Sequence, residues 1–146
     1  MPERLTETRS KADFRVLRDL LDIPQAWIAK RLGVSVQTVK NWESPKNFYP
    51  PRREAWGLLE SLWAEAGHKA AAQVDIASQA ASIARDNGIE PAPIILTYWP
   101  SIKEFEREAL GEESSWRVAN AATRIAADRL RVLGLPMTFM YVQLEE

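Results

Sequence analysis

The sequence predicts a mainly α protein with a small α+β lobe. Three observations predict it. Apolar residues recur at helical spacing as far as Arg85. Asn87-Gly88, then Pro91 and Pro93, interrupt that pattern. Two runs rich in β-branched and aromatic residues follow, 94–99 and 137–142, with a further helical stretch between them. The expected division is a helical domain over residues 1–88 and a strand–helix–helix–strand lobe over 89–146. A chain of 146 residues has room for one ordinary domain or for two small lobes.

Residues 1–10 lack periodicity and read as a loose arm. Over 12–21, Phe14, Val16, Leu17, Leu20 and Leu21 keep a helical spacing. Pro24 opens a second helix as its first residue, where the fixed φ of proline is tolerated. That helix runs over 25–32 with Trp27, Ile28 and Leu32 inward, and Gly33 ends it as a C-terminal cap. Ser35 is a good N-cap for a third helix over 36–43, and Ser44-Pro45 stops it. Residues 46–51 form a loop. A fourth helix starts at Arg52, passes through Leu58, Leu59, Leu62 and Trp63, and continues as alanine-rich helix to Arg85. Gly67 marks a kink. Beyond the linker, 94–99 is a strand ended by Pro100. Ser101 caps a short helix to Leu110. Ser114 or Ser115 caps a longer one over 116–133, with Trp116, Ala119, Thr123, Ala126, Leu130 and Leu133 on one face. Gly134 and Pro136 end it before the second strand.

Composition narrows the chemistry. There are no cysteines, so disulfides, thiolate metal sites and cysteine nucleophiles are excluded. The single histidine, His68, sits alone on an alanine-rich helix and reads as a surface residue. A zinc site or a histidine-based triad would rest on it alone. No Gly-rich phosphate loop is present. No enzyme activity, cofactor or metal is expected. The polar start is no secretory signal, and no apolar run reaches the roughly 20 residues that span a bilayer. A cytoplasmic protein without a membrane partner is the expectation.

The net charge of −1 hides an asymmetry. Residues 1–56 sum to +4 and residues 57–146 to −5. Between Lys30 and Arg53 six basic residues (Lys30, Arg31, Lys40, Lys46, Arg52, Arg53) face Glu43 alone. A basic front on an acidic body points to a polyanion partner, although a solvated basic surface would look the same.

Residues 25–43 carry the informative motif. Two short helices meet at a tight turn around Gly33. Ala29 lies four residues before it, where a large side chain would obstruct the crossing helix. Ile28, Leu32, Val34, Val39 and Trp42 are inward by spacing, which leaves Gln37, Thr38, Lys40 and Asn41 outward. Amides, hydroxyls and lysine are the groups that read base edges. A helix N-terminus adds free N–H groups for phosphate. Lys46, Arg52 and Arg53 suit phosphate contact without sequence preference.

This stretch resembles the helix-turn-helix of the Cro/C1-type (XRE) repressor family. The matching residues are Gln25, Ala29, Gly33, Val34, Ser35, Val39, Trp42 and Glu43, with Phe14 and Leu17 before them and Leu58, Leu59 and Leu62 after. The resemblance covers about residues 10–65. It implies a four-to-five-helix lambda-repressor-like domain whose helix from Ser35 enters the major groove. It implies Val36, Gln37, Thr38, Lys40 and Asn41 as base readers. Gln25, Ser35 and Lys46 become phosphate anchors, with Asn47 beside Lys46. Trp42 takes the place of a buried family residue, and Glu43 that of a structural acid. Two departures stand out: Ser44-Pro45 replaces the usual Gly-containing turn, and Phe48-Tyr49-Pro50-Pro51 is bulkier than usual. The second half resembles the dimerisation lobe of anti-CRISPR-associated autorepressors and related small bacterial regulators, through Tyr98-Trp99, Phe105 and Ser115-Trp116-Arg117. That implies a bacterial or phage-encoded protein and a homodimer.

Two strands alone are marginal in water, so the lobe needs a helix layer and a partner chain. Ile95, Tyr98, Trp99, Trp116, Phe139 and Tyr141 are the candidate dimer contacts. Trp42, Trp56 and Trp63 fall at core spacing; Trp27 lies nearer an edge. The acidic run Glu104, Glu106, Glu108, Glu112 and Glu113 reads as a solvated face, as do Arg117, Arg124, Arg129 and Arg131, with a second nucleic-acid contact as the alternative for the arginines. The expected function is a sequence-specific transcriptional regulator, a dimeric repressor or autorepressor on an inverted-repeat operator in double-stranded DNA. The alternative is an antitoxin or adaptor that holds a second protein with its acidic lobe.

Overall fold

The computed structural model describes residues 9–100 and 115–142. Among the described residues the protein is mainly helical with a small two-stranded sheet, as the sequence predicts, and the two strands pair in parallel. The elements are α1 (Lys11–Leu21), α2 (Gln25–Leu32), α3 (Val36–Glu43), α4 (Arg53–Asp86), β1 (Ile94–Tyr98), α5 (Ser115–Val132) and β2 (Met137–Tyr141). The short helix expected over 101–110 and the acidic run fall outside the described residues.

The chain forms two compact units, residues 1–63 and 64–146, which meet within α4. The reason is an alanine stripe. Ala77 and Ala81 of α4 are buried with Leu96, Ala127, Leu130 and Leu135, so the C-terminal half of α4 packs with the second unit.

In the first unit, α1 starts with a reciprocal cap. The Asp13 amide donates to Ser10 Oγ (3.1 Å), and the Ser10 amide donates to Asp13 Oδ2 (2.8 Å). The core is Phe14, Leu21, Ile23, Ile28, Ala29, Val39, Trp42, Trp56 and Leu59. Phe14 meets Trp42 and Trp56 edge-on, with ring centroids 6.1 and 5.2 Å apart. Trp63 and Trp27 are only half-buried. Val16 and Leu20 depart from the predicted apolar face and are exposed. The stripe of apolar residues on α1 is wider than the surface its neighbours cover, so these two line an open groove with Leu17 and Trp63. Pro24 precedes α2 as its N-cap, with ψ 147°, instead of forming its first residue. Gly33 caps α2 at φ 68°, a conformation that favours glycine, and the Val34 amide donates to the Ala29 carbonyl at 2.9 Å.

In the second unit β1 and β2 run parallel, with Leu96 opposite Phe139 and Tyr98 opposite Tyr141. A parallel pair needs a crossover, and α5 lies within it. The Ile94 amide donates to the Pro136 carbonyl and the Val142 amide to the Tyr98 carbonyl, both at 2.9 Å. The backbone groups of even-numbered residues therefore point into the ladder from both strands, and those of odd-numbered residues point outward. On the β1 side α5 occupies the outward groups at Thr97 and Trp99 in part. Asn120 accepts from the Trp99 amide (2.8 Å) and donates to its carbonyl (3.1 Å), while Thr123 donates to the Thr97 carbonyl (3.0 Å). Asn120 and Thr123 are both buried, and satisfying strand backbone is their physical reason. Leu133, expected on the buried face, is exposed because α5 ends at Val132; Leu135 fills that place in the core instead.

No described helix is long and apolar enough to cross a membrane.

Candidate nucleic-acid interface

Helix α3 begins at Ser35, whose hydroxyl accepts from the Thr38 amide at 3.1 Å. Val39 and Trp42 anchor its inner face. Val36, Gln37 and Lys40 are exposed on the other side. Thr38 and Asn41 are half-buried. The Thr38 hydroxyl lies 2.9 Å from Ser35 Oγ, so these two hydroxyls satisfy one another. Gln37 Nε2 donates to Asn41 Oδ1 at 3.0 Å. That bond orders two flexible amides and leaves Gln37 Oε1 as an acceptor and Asn41 Nδ2 as a donor, the pair of groups that fits an adenine edge.

The expected phosphate anchors divide. Lys46, Arg52 and Arg53 are exposed, with the Arg52 guanidinium 6.0 Å from the Trp42 ring centroid. Asn47 is committed to its own loop, where Oδ1 accepts from the Tyr49 amide at 2.8 Å. Gln25 is half-buried and donates from Nε2 to Glu43 Oε1 at 3.1 Å. Ser35 stands exposed at the α3 N-terminus.

Two residues that spacing does not single out hold α3 in place. Arg18 of α1 makes a two-pronged contact with Glu43: Nε to Oε2 at 2.6 Å and Nη2 to Oε1 at 2.7 Å. Its third donor, Nη1, reaches the Ile23 carbonyl at 3.0 Å. The side chains are 13% and 5% exposed, so the pair is largely removed from water. The hydrogen bond to Glu43 holds the Arg18 guanidinium above the ordinary arginine pKa. The sequence does hold a signal. Arg18 lies four residues after Phe14 and three before Leu21, on the inner face of α1, and a charge there requires a partner. Lys11 is the second residue. Its ammonium donates to the carbonyls of Asn41 and Tyr49, each at 2.6 Å. It thereby satisfies the end of α3 and ties the following loop to it. Burial lowers the Lys11 pKa from the ordinary lysine value.

The candidate dimer residues lie in the second unit. Ile95, Phe139 and Tyr141 are exposed, while Tyr98, Trp99 and Trp116 are half-buried. Tyr98 accepts from Arg124 Nη1 at 2.7 Å. The Arg117 guanidinium lies 4.3 Å from the Trp116 ring centroid, and the buried Trp116 Nε1 has no hydrogen-bond partner among the described residues. Tyr98, Arg124, Phe139, Met140 and Tyr141 line one open hollow.

Compared with known proteins, the chain matches no protein-family model and no curated sequence.

Proposed function

We propose that the protein is a sequence-specific DNA-binding transcriptional regulator, a dimeric repressor that occupies an inverted-repeat operator through α3. One observation carries the reading. The outward face of an N-capped helix presents Gln37, Lys40 and Asn41, and a buried ion pair and a lysine clamp hold that helix rigidly. Preorganised amides on a helix match the pattern of donors and acceptors in the major groove. The surrounding stretch has no acid except Glu43, and Arg18 neutralises that one. Such a protein works on a genome in the cytoplasm, bacterial or phage-encoded in this reading, and needs no cofactor to do so.

Selection of bound duplexes from a random library tests the proposal, since a regulator enriches one motif. On the enriched site, Gln37→Ala or Asn41→Ala costs about 1–3 kcal/mol and on random duplex much less. Lys46→Gln, Arg52→Gln and Arg53→Gln weaken both equally and flatten the salt dependence by roughly one unit of slope per lost phosphate contact. No enrichment in the selection, or equal losses of the Gln37 and Asn41 variants on both duplexes, overturns the reading.

A further inference from the structure

We propose that Phe48 is an apolar DNA contact, a phenyl ring placed against duplex carbon by the loop after α3; this rests on the DNA-binding reading. Phe48 is 99% exposed, the most exposed of the large hydrophobic residues described. Nothing about the loop leaves it there by slackness. The Asn47 amide donates to the Ser44 carbonyl (3.3 Å), and the Lys46 amide donates to Ser44 Oγ (3.3 Å). The Tyr49 amide donates to Asn47 Oδ1 (2.8 Å), and Pro50-Pro51 stiffen the chain beyond Tyr49. Phe48 thus stands between two residues whose backbone or side chain is already fixed.

The same network places the ring. The carbonyls of Asn41 and Tyr49 share the Lys11 ammonium, so their oxygens lie within about 5 Å of one another. Phe48 is therefore next to the Asn41 end of the reading helix. The exposed Tyr49 and Pro50 follow it directly, and the stretch around them is cationic: Lys46 and Arg52 are exposed on either side along the chain, Arg53 comes next, and no acid occurs from Ser44 to Arg53. Apolar surface set in a purely basic stretch fits a partner that is anionic and still offers carbon, which a nucleic-acid duplex does. The carbon comes from two sources, deoxyribose faces and the thymine methyl group. Either one places the ring inside the cage of phosphate contacts made by the neighbouring cations.

The experiment uses the full chain, a fluorescein-labelled mixed-sequence duplex, and anisotropy titrations at several salt concentrations. Phe48→Ala lowers affinity on the order of tenfold, the range found when an aromatic contact to nucleic acid is truncated. The slope of affinity against salt stays unchanged, because an apolar contact releases no counterions. Phe48→Leu restores part of the loss, and the melting temperature of both variants equals that of the parent, since the ring contacts nothing in the fold. A second duplex with deoxyuridine in place of thymidine separates the two sources. If the methyl group is the partner, the parent protein weakens on it and Phe48→Ala does not. If deoxyribose is the partner, the deficit of Phe48→Ala is the same on both. Equal binding by parent and Phe48→Ala overturns the proposal, as does a loss accompanied by a lower salt slope, which would make the loop shape the cause. Failure of the parent protein to bind any duplex overturns the DNA-binding reading itself and is told apart by that control.

Discussion

Arg18→Met destabilises the first unit by about 3–5 kcal/mol, the scale for removing one member of a buried ion pair. The carboxylate of Glu43, 5% exposed, then keeps only the Gln25 amide as a donor in this network. A carboxylate in low dielectric without its counter-charge is penalised far more than a lost surface contact. Glu43→Leu gives a loss in the same direction but smaller, because the guanidinium retains the Ile23 carbonyl and the Asp19 carboxylate at 3.8 Å. The double variant Arg18→Met, Glu43→Leu regains most of the stability, since replacing both charges with apolar groups is near neutral. Urea denaturation of the four proteins closes a double-mutant cycle, and the coupling energy is the result sought. Arg18→Met lowers the Tm of the first unit by on the order of 10–40 °C. Single losses under about 1 kcal/mol would equate the pair with an exposed ion pair and remove its role. The functional consequence comes from position. Arg18 belongs to α1 and Glu43 to the last turn of α3, so the pair fixes the reading helix against its support. Both single variants lose duplex affinity at temperatures where they are still folded.

What is legible in the sequence is local. Gly33 and Ser35 act on residues within one turn of themselves, so residue type alone marks the turn between α2 and α3 and the start of α3. The outward placement of Gln37 and Lys40 comes from Val39 and Trp42 being inward, which is periodicity again. Contacts between elements are not legible. Lys11 reaches Asn41 across 30 residues and Arg18 reaches Glu43 across 25, distances at which spacing carries no information. The positions of Gln25 and Asn47 suggest phosphate donors, and their side chains serve the fold as well because Glu43 and the Tyr49 amide lie beside them. Val16 and Leu20 show the opposite limit. Helical spacing tells which face is apolar, and only the neighbouring helices decide how much of it is covered. The parallel pairing of β1 with β2 depends on how α5 crosses between them, which neither strand's composition records. The division of the chain within α4 depends on small residues: alanines that look neutral in a helix become a docking stripe once Leu96 and Leu130 pack on them.

A chain carrying Phe139→Pro elutes as a monomer, where the unaltered chain has a light-scattering mass about twice 16.6 kDa. The expectation starts from the two edges of the sheet. Asn120 and Thr123 occupy the Thr97 carbonyl and both backbone groups of Trp99, so α5 covers the C-terminal end of the β1 edge. Among the described residues the sheet has two strands, and β2 has one edge without a strand beside it. Met137, Phe139 and Tyr141 direct their backbone groups to that edge by the alternation of the ladder. The strand is Met-Thr-Phe-Met-Tyr, with no charge and no proline to discourage association. Phe139 and Tyr141 are 52% and 66% exposed. An antiparallel β2–β2 contact is self-complementary about a two-fold axis, and that is the symmetry an inverted repeat requires. Proline at 139 removes an outward donor and spares the bonds between β1 and β2, which even-numbered residues make. Phe139→Lys retains the donor and sets two like charges near the axis, so it also yields monomers by a different route. Both variants keep Gln37, Lys40 and Asn41 intact, yet their affinity for an inverted repeat falls by about 10²- to 10⁴-fold, the advantage that linking two half-sites provides. Their affinity for a single half-site is that of the parent. A parent mass near 16.6 kDa at micromolar concentration, with one chain bound per duplex, would remove the dimer and leave the exposed β2 edge to a different partner.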